Sequence, residues 1–159
     1  MTESIEDLYK EIILDHYRRP RNRGSLLPPA RNACAYNPLC GDEITIWVDI
    51  DENDTITDIK LDGKGCAISQ ASGSMMSTLL QGKSLTEART VFLRFKSMLG
   101  IGKNKTDIEI FDPEAPAGSQ LGDAEALKSV RQFPSRVKCA TLAWNAFEEA
   151  LGQDTAVSL

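Results

Sequence analysis

Apolar and polar residues follow two different periods in the first part of the chain. Between residues 4 and 18, apolar side chains recur every three or four positions, which predicts an amphipathic helix that Pro20 ends. Over residues 44–50, apolar and polar side chains alternate one by one, which predicts a half-buried strand. A polar turn at 51–54 and a second apolar run at 56–61 complete a predicted β-hairpin.

The second part of the chain has mostly the helical period. Helices are predicted from Ser69 as N-cap to Leu80, from a capping box at Ser84 to Leu99, over residues 123–130, and over residues 140–151. Residues 100–122 are rich in Gly, Pro, Asp and Asn and predict an exposed loop, and residues 152–159 predict a flexible tail.

These elements predict one α+β domain over residues 1–159. A small antiparallel sheet of about three strands would pack against five or so helices. Its third strand would come from residues 30–38, a weaker pattern because Pro38 interrupts it.

Composition narrows the class of protein. The 159 residues carry a net charge of -5, which argues against a nucleic-acid or anionic-membrane surface because both need clustered positive charge. The basic run at 18–23 could dock an acidic partner, but solvated surface at the end of a helix is the favoured interpretation because short charge runs are usually just surface. We predict a cytoplasmic protein, since the acidic N-terminus lacks a signal-peptide pattern and no apolar stretch could span a bilayer. In a reducing compartment, the four cysteines are expected to be thiols or metal ligands rather than disulfides.

Three cysteines, each near a predicted element end, carry the candidate chemistry. Cys40, Cys66 and Cys139 lie in the segments NPLCGD, GKGCAIS and KCATL, and Asp42 follows the first of them. Three thiolates and one carboxylate would supply the four ligands of a tetrahedral zinc site. Their wide spacing leaves the alternative open, in which they are inert core or surface thiols.

Other chemistry-bearing residues are interpreted more simply. Cys34 is an incidental thiol, and His16 is a core or interface histidine rather than a ligand. Met75, Met76 and Trp144 are expected to pack in the core.

The motifs together resemble the IscU/NifU N-terminal family of iron–sulfur cluster assembly proteins, over residues 8–151. The motifs that carry this resemblance are LY at 8–9, DHY at 15–17, PRNRG at 20–24, NPLCGD at 37–42, GKGCAIS at 63–69, ASGSMM at 71–76 and KCATL at 138–142. Within the family the chain is similar to the SufU branch. The IscU histidine before the third cysteine is replaced by Lys138, FPSRV at 133–137 replaces the chaperone-recruiting segment, and LGDAEAL at 121–127 looks like the SufU insertion.

The resemblance implies a SufE/NifU-like fold and a zinc ion held by Cys40, Asp42, Cys66 and Cys139, with Arg136 beside the site. Arg136 would stabilise a displaced thiolate or steer a charged intermediate, and a plain salt bridge is the alternative role for it. The resemblance also implies that sulfane sulfur comes from a PLP-dependent, SufS-like cysteine desulfurase. A histidine of that partner would displace Cys40 from zinc. The freed thiolate would then accept sulfur for downstream iron–sulfur scaffold proteins. Such a protein would be a sulfurtransferase-like accessory protein rather than a stand-alone enzyme.

Two alternatives remain open from the sequence. A scaffold could assemble a [2Fe–2S] cluster on the same cysteines and Asp42, because thiolates bind zinc and iron–sulfur clusters alike. A structural zinc domain that serves as an interaction module is disfavoured by Asp42, since closed structural sites prefer Cys and His.

Overall fold

The chain begins with a helix, continues into three strands and ends in helices. The computed structural model describes residues 5–38, 41–100 and 121–152. Its elements are α1 (Ile5–Arg18), β1 (Arg31–Asn37), β2 (Asp42–Ile50), β3 (Ile56–Lys64), α2 (Ala67–Leu80), α3 (Leu85–Met98), a 3-10 helix (Gly122–Gln132) and α4 (Pro134–Gly152). Among the helices described, none is both long and apolar enough to cross a membrane.

The three strands form one antiparallel sheet in the order β1-β2-β3. Ile46 of β2 lies between Ala33 and Leu61 on the neighbouring strands, and all three side chains are buried. The alternation of β2 therefore confirms the predicted hairpin. The predicted third strand is confirmed as β1. It ends at Asn37, one residue before the proline at position 38, so the proline does not interrupt it.

Helices α2 and α4 pack against this sheet. Gly73 of α2 allows close approach to α4, since a Cβ at that position would already lie 3.4 Å from Ala143 Cβ. Ser72 Oγ donates to the Ala140 carbonyl of α4 and accepts from Trp144 Nε1 at 2.9 Å. Trp144 stacks on Phe95 of α3 with ring centroids 4.1 Å apart. The predicted core roles of Trp144 and of both α2 methionines are confirmed, as all three are fully buried.

Two helix starts differ from the prediction. Helix α2 begins at Ala67 with Cys66 as its N-cap, so Ser69 is not the cap and instead donates its hydroxyl to the Cys66 carbonyl at 3.1 Å. Helix α4 begins at Pro134, well before residue 140. A proline suits the first position of a helix because its fixed φ is already helical and the amide hydrogen that it lacks would be unpaired there.

The capping box of α3 is confirmed. Ser84 Oγ accepts from the Glu87 amide at 3.2 Å, and the Glu87 carboxylate accepts from the Ser84 amide at 3.1 Å. The hydrogen bond from the Ser84 backbone, with that from its side chain, lowers the pKa of Glu87 below its usual value.

Residues 121–132, directly before α4, differ from the predicted loop and short helix. The 3-10 helix contains the predicted residues 123–130 but starts at Gly122, and Leu121 just before it is buried in the core. These two residues therefore do not belong to the exposed loop, and residues 101–120 lie outside the described part. Gly152, placed in the tail by its sequence, is the last residue of α4, and residues 153–159 also lie outside the described part.

Candidate metal centre

Three of the four predicted ligands come together at one end of the sheet. Asp42 is the first residue of β2, Cys66 caps α2, and Cys139 lies in the second turn of α4. One carboxylate oxygen and the two sulfurs all lie within 4.8 Å of one another. Asp42 and Cys139 are buried, whereas Cys66 is partly exposed. Cys40, the fourth predicted ligand, lies outside the described residues.

Two glycines allow this convergence. A side chain at Gly63 would overlap the backbone carbonyl of Glu43 on β2, so only glycine lets β3 pair this closely with β2. At Gly65, where φ is +152°, a Cβ would overlap the Asp42 carboxylate and lie 2.9 Å from Ser69 Oγ. Glycine at position 65 therefore lets α2 start directly beside the carboxylate.

Among the described residues, Cys66 contacts the Asp42 carboxylate through its amide and its sulfur. Asp42 Oδ1 accepts a hydrogen bond from the Cys66 amide at 2.8 Å, and Asp42 Oδ2 lies 3.8 Å from Cys66 Sγ. Asp42 is only 2% exposed and, within the described part of the chain, forms no ion pair with a lysine or arginine. Burying a carboxylate without a cation is costly, so the site favours a bound positive charge.

Two polar residues near the sulfurs were not predicted as site residues. Asn37 Nδ2 donates to Cys139 Sγ over 3.6 Å, and Asn37 is 6% exposed. Ser69 Oγ lies 3.8 Å from Cys66 Sγ, near enough to help position that side chain. Asn37 could have been found from strand alternation, since it follows Ala33 and Ala35 on the inward-facing positions of β1.

Arg136 lies near Cys66 around an open cavity of about 380 Å³. The other residues that line this cavity come from α1, the start of α2, the 3-10 helix and the junction before α4, and they are Ile13, Ala67, Ile68, Ser129, Val130 and Phe133. Phe133 is 56% exposed at the rim. The segment that contains the 3-10 helix thus builds one wall of the space in front of Cys66.

The donor set fits zinc. Tetrahedral zinc with Zn–S bonds of about 2.3 Å and Zn–O bonds of about 2.0 Å places ligand atoms about 3.5–3.8 Å apart. The observed carboxylate-to-Cys66 distance of 3.8 Å meets this spacing, and the 4.8 Å limit of the whole cluster requires only small side-chain movements. Two thiols and a carboxylate are also ligands of the type that zinc takes in proteins.

His16 and Cys34 are not among the described residues of this cluster. His16 is buried, with Nδ1 2.8 Å from Ser74 Oγ and Nε2 2.8 Å from Asp123 Oδ2, so both ring nitrogens have hydrogen-bond partners. Cys34 points to the opposite face of β1 from Asn37, where its hydrogen bond and charge raise the pKa of Tyr36.

The fold and the site together define a class of protein. It is an α+β protein with helices on one face of a three-stranded sheet and a Cys-Cys-Asp cluster at one end of that sheet. The chain belongs to the NifU-like N-terminal domain family, which it matches over residues 8–140.

Individual relatives agree with this assignment. The zinc-dependent sulfurtransferase SufU of Bacillus subtilis is 38% identical over 151 residues, covering 95% of this chain and 94% of the relative. The iron–sulfur cluster assembly scaffold protein IscU of Streptococcus pyogenes is 41% identical over 147 residues, covering 92% and 84% of the two chains. Among solved structures, the NifU-like N-terminal protein of Brucella abortus matches with a TM-score of 0.75 at 25% identity, covering 94% of this chain and 95% of its own.

Proposed function

We propose that the protein is a zinc-dependent sulfur carrier that accepts persulfide sulfur from a SufS-like cysteine desulfurase for iron–sulfur cluster assembly. The observation that carries this proposal is the clustering of Cys66 and Cys139 with the buried Asp42 carboxylate, which forms no ion pair with any described lysine or arginine. The relative that is named a zinc-dependent sulfurtransferase aligns along nearly the whole chain and supports the same function.

Cys40, Asp42, Cys66 and Cys139 would hold the zinc ion. Zinc, when bound, favours the ionised form of cysteine thiols at neutral pH. Cys40 is two residues from Asp42, and the length of the backbone alone keeps its Cα within about 7 Å of the Asp42 Cα. A carboxylate binds zinc more weakly than a fourth thiolate would, which suits a site whose ligands exchange.

Cys40 is the residue proposed to accept sulfur. Its thiolate attacks the outer sulfur of the donor persulfide, so a new S–S bond forms on Cys40. The S–S bond of the donor breaks, and the donor cysteine leaves as a thiolate. No external oxidant or reductant is needed, because one persulfide is exchanged for another.

The cavity beside Cys66 provides the direction of approach for the donor. Phe133 offers an exposed apolar contact at its rim, and Arg136 provides a positive charge next to the path of an anionic persulfide. Arg136→Ala is therefore expected to slow sulfur acceptance without changing zinc content.

A persulfide-trapping experiment tests the proposal. The protein is incubated with a cysteine desulfurase and L-cysteine, alkylated, and analysed by peptide mass spectrometry. We expect one additional sulfur on the Cys40 peptide, its loss in Cys40→Ser, and no change in Cys34→Ser. Sulfur that persists in Cys40→Ser, or that is found equally on every cysteine, would contradict the assignment.

A scaffold for a [2Fe–2S] cluster on the same ligands is the second candidate. The IscU relative, 41% identical, favours it, since that protein is named as a scaffold. Asp42→Ala separates the two functions. A sulfur carrier should lose zinc and sulfur acceptance when the carboxylate is removed, whereas a scaffold should keep or gain a cluster on its remaining cysteines.

A further inference from the structure

A second cavity is bordered by residues 63–65, which come directly before the cluster residue Cys66. Its volume is about 490 Å³, and it is lined by Tyr17, Pro20, Arg23, Gly63, Lys64, Gly65 and Gln70. Gly65 borders both sites, because it lines this cavity and its missing side chain leaves room for Asp42.

Gln70 lines this cavity and carries an unused hydrogen-bond donor. The residue is 5% exposed, and its Oε1 accepts from Arg23 Nη1 at 3.2 Å. A guanidinium group can only donate, so this contact fixes which end of the amide is oxygen. The opposite end, Nε2, is buried and has no hydrogen-bond partner in the described part of the chain. Such a donor is costly in a folded protein and indicates a missing acceptor.

The charges around the cavity limit what that acceptor can be. Arg23 is already engaged, since its Nη2 donates to the Gly63 carbonyl at 3.0 Å and lies 3.2 Å from Asp62 Oδ1. Lys64 lines the same cavity, and among described residues it forms no ion pair, although Glu43 lies opposite it on β2. One uncommitted cation and one neutral donor suit a singly charged group with two acceptor oxygens better than a doubly charged phosphate.

We propose that this cavity is a carboxylate-binding subsite in which Gln70 Nε2 and Lys64 Nζ donate to the two carboxylate oxygens. Arg23 positions the Gln70 amide. The carboxylate could belong to a free amino or organic acid or to an acidic side chain of a protein partner, since the chemistry is the same. The subsite does not depend on sulfur transfer, so it can fail or hold independently of the proposed function.

Nuclear magnetic resonance of the full-length, zinc-loaded protein tests this directly. Sodium acetate is added while the side-chain amide protons of Gln70 are followed, with sodium chloride at matched ionic strength as the reference. We expect a saturable shift of the Gln70 side-chain amide with acetate only. A shift that chloride reproduces, or no shift at all, would refute the subsite.

Variants distinguish the subsite from general anion effects. Gln70→Met keeps the length of the side chain but removes the donor, and should weaken acetate binding by about tenfold or more. Lys64→Gln should weaken acetate binding while leaving the chemical shifts of the Gln70 side-chain amide in the acetate-free protein unchanged. Gln81→Met, at the exposed C-cap of the same helix, should change nothing. Equal acetate binding, monitored through the Gly65 backbone amide, in Gln70→Met and in the unaltered protein would overturn the assignment.

The source of the carboxylate is decided by two further titrations. A short blocked peptide with a central glutamate that binds more tightly than acetate indicates a protein side chain. Free L-cysteine that binds more tightly than the peptide indicates a small molecule. Preference for inorganic phosphate over every carboxylate would contradict the proposed ligand class.

Discussion

Replacing Gly65 by alanine would place a methyl group where the Asp42 carboxylate lies. Two effects follow. The backbone at φ +152° is strained for any residue with a side chain, at a cost of about 1–3 kcal/mol. The steric overlap also displaces the carboxylate and disturbs Ser69, whose hydroxyl would lie 2.9 Å from the new methyl group.

We therefore expect Gly65→Ala to lower both stability and zinc affinity. Disturbing residues that orient a metal ligand typically costs about 10–100-fold in affinity, which here would come from the displaced Asp42. Unfolding of the metal-free protein in urea measures the first effect, and competition with a chelator of known affinity measures the second. Metal-free protein is used for unfolding because bound zinc would itself add stability.

Gly82→Ala is the matched control. Gly82 also has a positive φ, +86°, but a Cβ there meets no atom within 4 Å. The Gly82→Ala variant should lose about 1–2 kcal/mol of stability and keep the zinc affinity of the unaltered protein. If Gly65→Ala loses stability but binds zinc as tightly as Gly82→Ala, the argument that glycine at position 65 makes room for the ligand is refuted.

The remaining predictions concern the frame around the site. Ser72→Ala should lower the unfolding free energy in urea by about 1–3 kcal/mol, because Trp144 Nε1 is left without its acceptor in the core; an unchanged midpoint would contradict this. Ser84→Ala should cost about 1 kcal/mol by removing half of the capping box. The pKa of Glu87 is lowered in the folded state, so the stability that its ionised carboxylate contributes is present above about pH 4.5 and is lost as the pH falls further. Glu87→Gln should therefore be less stable than the unaltered protein at neutral pH and equally stable in acid. Urea unfolding at several pH values measures this difference. Cys34→Ser should leave zinc content unchanged by elemental analysis, and a loss of zinc would place that thiol in the site.

The sheet and most helices could be predicted because their signals are local. The alternation of residues 44–50 needs only the period of a strand, and the capping box at Ser84 needs only four residues. The start of α4 could not be read this way, since Pro134 looks like a helix breaker until its position within the helix is known. The N-cap of α2 was misplaced for a related reason. Cys66 and Ser69 are both near the start, and the structure gives Cys66 the extended backbone of an N-cap while Ser69 is already helical.

The site was only partly accessible from the sequence. The cysteines and Asp42 stand out by residue type, but their convergence depends on strand register and on the packing of α2 against α4. Asn37 and Gln70 carry no recognisable motif, because an amide becomes informative only when its hydrogen-bond partners are known. The sequence of the predicted insertion at 121–127 does not indicate that Asp123 forms a hydrogen bond with His16.

The metal and acid-labile sulfide content of protein purified without air tests the central proposal most directly. A sulfur carrier should contain about one zinc per chain, no iron and no visible colour. Zinc should be lost in Asp42→Ala, in which the buried carboxylate is removed. Iron and sulfide in nearly equal amounts, with a brown chromophore that disappears in Cys66→Ala, would contradict the sulfur carrier and identify a cluster scaffold.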